Sequence, residues 1–212
     1  MTGARGPSYE LRTMGGMAEP APAPPAPGPY LQTVSGRWVN PFEPDPAQLD
    51  AGDIARALAN QCRFGGHSRV FYSVAQHSVI VSRLVEERGG DAEDAFAALM
   101  HDATEAYLGD MPHPLKHRSP LGAAFKAAED RLEQAIRARF AIKRDVPEIK
   151  RADRALLATE RRAFSDEAWH WPELEGVEAL DLELTAWSPD EAARAFAERY
   201  AELDARRGAT SP

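Results

Sequence analysis

Asp91-Ala92-Glu93-Asp94-Ala95-Phe96-Ala97-Ala98-Leu99-Met100-His101-Asp102-Ala103-Thr104-Glu105-Ala106-Tyr107-Leu108-Gly109 is the stretch on which the fold turns. Phe96, Leu99, Met100, Ala103 and Tyr107 recur at helical spacing and predict one apolar face. Asp91 is a natural N-cap, Glu93 and Asp94 suit the positive end of a helix, and Gly109 is placed to end it. Two polar residues interrupt the apolar side: His101 and Asp102.

Outward from this stretch the same period repeats. Ile54, Leu58 and Cys62 predict a helix over 53–62, broken by Gly65-Gly66. Val74, Val81, Leu84 and Val85 predict another over 73–88, ended by Gly89-Gly90. Pro112, Pro114 and Pro120 mark a loop, and helices follow over 121–140 and 147–165. Ser188-Pro189-Asp190-Glu191 is a capping box with proline at the first helical position, and it announces a last helix carrying Phe196, Tyr200 and Leu203. Only 31–39, with a central Gly36, suggests a short hairpin. The expectation is an all-α, bundle-like domain over 30–206. A Pro/Ala-rich tail over 1–29, unable to bury much side chain, is expected to be disordered, and 207–212 to form a C-terminal tail.

The bulk properties narrow the classes of function. With 212 residues, one domain plus tails is the expectation. A net charge of −8 argues against a protein that holds a nucleic acid backbone. No run approaches the length of a membrane span, and the N-terminal residues lack the apolar core of a secretory signal, so a cytoplasmic protein is expected. The lone Cys62 forms no internal disulfide and offers no basis for a cysteine-rich zinc site, so inert packing at a helix end is its expected role.

His101 and Asp102 are neighbours on one helix, and Glu105 lies one turn after His101 on the same face. His77 falls on the preceding predicted helix and Asp153 on a later one. Two imidazoles and two carboxylates suit one divalent ion such as Mn²⁺, Co²⁺, Fe²⁺ or Zn²⁺, with Mg²⁺ as a further candidate. A cation that accepts six ligands would keep positions for water and a phosphate oxygen. About 0.4 His-Asp doublets are expected by chance in such a chain, so the doublet carries weight only within the ordered set.

The surrounding sequence adds to this. Tyr72-Ser73-Val74-Ala75-Gln76-His77-Ser78, then Leu99-Met100-His101-Asp102-Ala103-Thr104-Glu105-Ala106, then Gly109-Asp110-Met111-Pro112-His113-Pro114-Leu115-Lys116 resembles the HD-domain phosphohydrolase superfamily. The likeness is greatest to the branch of bacterial 5′-deoxynucleotidases and deoxynucleoside triphosphohydrolases, and it runs over roughly residues 30–200. It implies His77, His101, Asp102 and Asp153 as metal ligands. It implies Glu105 as the residue that orients or deprotonates the attacking water, and Asp110 as a proton donor or substrate contact. Arg63 falls where that branch sets an arginine against phosphate, and Phe64 where it often carries tryptophan beside the nucleoside. Lys116 is similar to a phosphate-side lysine.

The resemblance also separates branches. Alarmone hydrolases have Glu-Asp three residues after the doublet, whereas Glu105 is followed here by Ala106. Dinuclear members need further histidines, and only His113 and His117, in the expected proline-rich loop, precede Asp153. A mononuclear hydrolase of small nucleotides is the expectation, on nucleoside 5′-monophosphates in the first instance. A triphosphohydrolase releasing tripolyphosphate is the alternative within the class, and a non-catalytic metal- and nucleotide-binding regulatory module the alternative outside it. Apolar helix faces are compatible with a homodimer, but no heptad run specifies one.

Overall fold

The structure, a computed structural model, describes residue 24, residues 27–166 and residues 169–209. The expected disordered tail therefore lies largely outside the described residues. Leu31–Gln32 (β1) pairs antiparallel with Trp38–Val39 (β2), and Gly36, at φ +86°, supplies the left-handed turn between them. Everything else regular is helical: α1 Ala51–Asn60, α2 Val74–Glu87, α3 Ala92–Leu99, α4 Glu105–Leu108, α5 His113–Arg118, α6 Leu121–Arg139, α7 Pro147–Phe164 and α8 Pro189–Ala209, with three short 3₁₀ turns. The all-α expectation holds.

The caps are those the residue types dictate. Asp50 opens α1 by accepting from the amides of Gly52 and Asp53, and Ser73 opens α2 by accepting from Gln76. Asp91 and Asp94 form a reciprocal capping box at α3. Ser188 and Glu191 form another at α8, which runs past the expected boundary at 206 to Ala209.

Helix α2 is buried on nearly every side over Val74–Val79, which makes it the central helix, with α3, α7 and α8 packed against it. Leu58, Val79, Phe96, Leu99, Leu132 and Phe196 join α1, α2, α3, α6 and α8 in one apolar core. A smaller cluster of Val81, Val85, Ala98, Ala152 and Leu156 locks α7 onto α2 and α3.

Two expectations are corrected. The helix begun at Asp91 does not run to Leu108; it stops at Leu99 and resumes at Glu105. In the gap the backbone tightens to shorter steps, Ala103 donating to Met100 at 3.1 Å and Glu105 to Asp102 at 2.9 Å, while the His101 ring nitrogen Nδ1 takes the Ala98 carbonyl at 2.7 Å. The proline-marked loop likewise contains helix α5, started by Pro112 and Pro114, where a missing N–H costs nothing. Cys62 lies just beyond α1, in a β-bridge with Ser73.

Candidate metal centre

Four segments meet at one edge of the central helix: the first turns of α2, the break at 100–104, the middle of α7 and the turn Arg63–Gly66. Ser73 fixes the start of α2 and so sets His77 in the interior, fully buried. The break turns His101 toward it, with ring centroids 5.4 Å apart. From α7 comes Asp153, whose Oδ1 lies 3.1 Å from His77 Nε2.

His77, His101 and Asp153 each offer a donor atom, all within 4.8 Å of one another. Asp102 stays outside that group of three, yet its Oδ2 is 3.7 Å from His77 Nε2 and 3.3 Å from His101 Nε2. Both histidine Nε2 atoms are buried and meet no partner but the carboxylates of Asp153 and Asp102. Buried ring nitrogens ordinarily pair with a hydroxyl, amide or carbonyl, so two that meet only carboxylate oxygens have the character of ligands to a cation.

The far side of each ring is also arranged for this. His101 Nδ1 donates to the Ala98 carbonyl, which leaves Nε2 as the lone-pair atom. His77 Nδ1 lies 2.6 Å from Glu160 Oε1, a carboxylate-histidine pairing of the kind that orients metal ligands. Burial and the Arg63 charge oppose protonation of His77, but Glu160 and Asp153 outweigh them and raise its pKa to about 9. A cation entering the group therefore displaces a proton from Nε2.

Glu160 is not among the residues expected from sequence, and it connects the site's halves. It is fully buried and disfavoured there by desolvation, yet Arg63 and His77 hold it ionised below the usual carboxylate range. Arg63 Nε is 3.2 Å from Glu160 and Arg63 Nη1 is 3.6 Å from Asp102. The sequence does contain a signal: Glu160 follows Asp153 by seven residues, two turns along the same face of α7.

The remaining expected residues divide. Glu105 Oε2 is buried without a hydrogen-bond partner, and burial, then the charges of Asp102 and Asp110, push its carboxyl well above the ordinary range. Burial likewise raises Asp110, with Asp102 adding to it. Gln61 ties this pair in place, donating to the Glu105 carbonyl at 2.8 Å and accepting from the Asp110 amide at 3.1 Å. Asp110 Oδ2 accepts from the Phe64 amide at 3.2 Å. Phe64 has a left-handed backbone, φ 60° and ψ 23°, continued by Gly65 and Gly66, and its ring lies 6.1 Å from that of Trp171. Lys116 pairs with Glu129 at 2.5 Å on α6 and reaches the site through its charge on Glu105. Its backbone carbonyl sits where a Cβ on Gly122 would fall, so the glycine lets α5 lie against α6. His113 and His117 are on α5 with rings 4.3 Å apart, rather than in a loop, and do not join the three-donor group.

Comparison with known proteins places the chain among relatives. It is 39% identical over 182 residues to the uncharacterized protein YfdR of Escherichia coli (strain K12), a match spanning 84% of this chain and 97% of that one. The chain belongs to the YfdR family. An uncharacterized protein of Rhodobacter capsulatus is 35% identical over 131 residues, covering 59% of this chain and 66% of the other. No family model matches the chain. The YfdR family brings no activity with its name, so the chemistry is read from the side chains. Among the described residues no helix is long and apolar enough to cross a membrane.

Proposed function

We propose that the chain is a metal-dependent phosphohydrolase of the HD type acting on small nucleotides, nucleoside 5′-monophosphates foremost. The observation that carries this reading is the convergence of His77, His101 and Asp153 within 4.8 Å, with both histidine Nε2 atoms buried and facing only carboxylates. These three residues, with Asp102 beside them, would hold one divalent ion of the Mn²⁺, Co²⁺, Fe²⁺, Zn²⁺ or Mg²⁺ type. When bound, such an ion polarises a phosphoryl oxygen and acidifies a coordinated water.

The protein's own groups supply the rest. Glu105, a stronger base than usual because of its burial, would be ionised by the charge of the bound cation and accept the proton of the attacking water. Asp110, whose carboxyl holds its proton more tightly than usual, returns one to the departing oxygen. Arg63 stays charged in the interior and balances the charge that develops on phosphorus oxygens.

Phosphate release from nucleoside mono-, di- and triphosphates, in Mn²⁺, Co²⁺, Mg²⁺ or EDTA, tests this beside Asp102→Ala and Glu105→Ala. Metal-dependent release, reduced at least about 100-fold in both variants, is expected. Tight metal binding with no turnover of any nucleotide would replace the hydrolase by a binding module.

A further inference from the structure

The two apolar clusters do not close on each other everywhere. Between α3, α6, α7 and the segment leading into α7 lies a cavity of about 500 Å³, a volume that suits a small molecule. Met100 and Ile136, nearly fully buried, and Ile142 line it from the larger cluster, and Val146 and Ile149 line it from the smaller. An apolar ligand there would join the two clusters. Arg63, Phe64, Glu105 and Asp110 do not border it, so it stands apart from the groups that would meet nucleotide and water.

The charges in its wall narrow the ligand further. Arg137 holds both Glu133 and Asp145, at 3.8 and 3.0 Å, and His77 holds Asp153 at 3.1 Å. Arg144 is held by Asp91 and, at 2.9 Å, by Asp94. Lys150 is the remaining cation of the wall and has no ion-pair partner among the described residues. One uncommitted positive charge beside an apolar surface complements one negative charge on an apolar body. A nucleotide, with a phosphate near −2 and a polar sugar, meets neither condition.

The cavity also touches the metal-binding group. His101 and Asp153 stand in its wall, and Lys150 lies one turn before Asp153 on α7. The Lys150 charge opposes a divalent ion held by Asp153, and an anion paired with Lys150 offsets that opposition. We infer that this cavity is a site for an apolar monocarboxylate, its carboxylate paired with Lys150, and that its binding strengthens the hold of the metal-binding group on a divalent cation. The coupling is reciprocal, so the cation strengthens the carboxylate in turn. Neither effect requires turnover of a nucleotide.

The test uses the full chain and two ligands with the same tail, octanoate and 1-octanol, displacing the fluorescent probe 8-anilinonaphthalene-1-sulfonate in EDTA. Octanoate should bind about fivefold more tightly than 1-octanol. Lys150→Ala should abolish that preference and leave 1-octanol unchanged, and Lys150→Arg should restore it. Val146→Phe, at an extended backbone position in the wall, should weaken both ligands about tenfold. If Val146→Phe does not fold, the two Lys150 variants decide. No displacement by octanoate, equal displacement by the two ligands, or a preference that survives Lys150→Ala overturns the site. Calorimetric titration with Mn²⁺, after removal of EDTA, should show about fivefold tighter binding in saturating octanoate, and no such gain in Lys150→Ala. An Mn²⁺ affinity unmoved by octanoate overturns the coupling.

Discussion

Glu160 has no access to water and stays ionised because two cationic groups face it from different elements, His77 from α2 and Arg63 from the turn after α1. Such a carboxylate fixes the imidazole and raises its basicity as a ligand. Glu160→Gln keeps the shape and removes the charge. Its Mn²⁺ affinity should fall about 10- to 100-fold, read by competition with a chelating dye. An unchanged dissociation constant would remove Glu160 from any role in metal binding. His77, His101 and Asp153, which the fold brings together as a group that could hold a metal ion, are legible in sequence because their order and their neighbours are informative. Glu160 is not, because a glutamate two turns from an aspartate on a charged helix is ordinarily solvated, and only the tertiary approach of Arg63 and His77 makes it a site residue.

Helices are legible where apolar spacing and caps agree, as at Ser73, Asp91 and Ser188. The interruption at 100–104 is not, because Met100, Ala103 and Tyr107 remain buried through it and the apolar period does not betray the tighter backbone. The same limit applies to α5, whose prolines read as a loop but sit at a helix start. Between α2 and α8 the decisive contact is polar. Arg199, almost fully buried, reaches Glu86 at 2.6 Å, Glu202 at 3.0 Å and Ser82 Oγ at 3.1 Å. Arg199→Ala should destabilise the fold by about 2 kcal/mol in denaturant unfolding. Burial works against ionisation of Glu86, but hydrogen bonds from Arg199 and Arg206 outweigh it and hold its carboxyl below the ordinary 4.5. A depressed folded-state value stabilises fully above the unfolded value and is lost as pH falls through the folded one. The thermal deficit of Arg199→Ala should therefore be largest near neutrality and shrink below about pH 4.5. A deficit independent of pH would locate the loss in packing instead.

At the scale of the whole molecule, the larger apolar cluster carries the fold and the candidate metal centre lies at its edge. Phe196 of α8 is fully buried in that core, and Phe196→Ala should cost about 3–5 kcal/mol by chemical unfolding. The core's membership is readable from helical period, whereas the cavity beside His101 depends on how α3, α6 and α7 settle and leaves no periodic trace. Phe64 behaves oppositely to Phe196. Its left-handed backbone costs about 1–2 kcal/mol, comparable with what a half-buried ring returns. Phe64→Gly should thus unfold within about 1 kcal/mol of the parent chain despite losing a whole phenyl group. A random library sorted only for intact, folded chains would keep many replacements at Phe64 and discard those at Phe196. On the proposed phosphohydrolase reading, sorting the same library afterwards for nucleotide capture would reverse the tolerance at Phe64 and leave that at Phe196 as it was, and so single out the turn by its own behaviour.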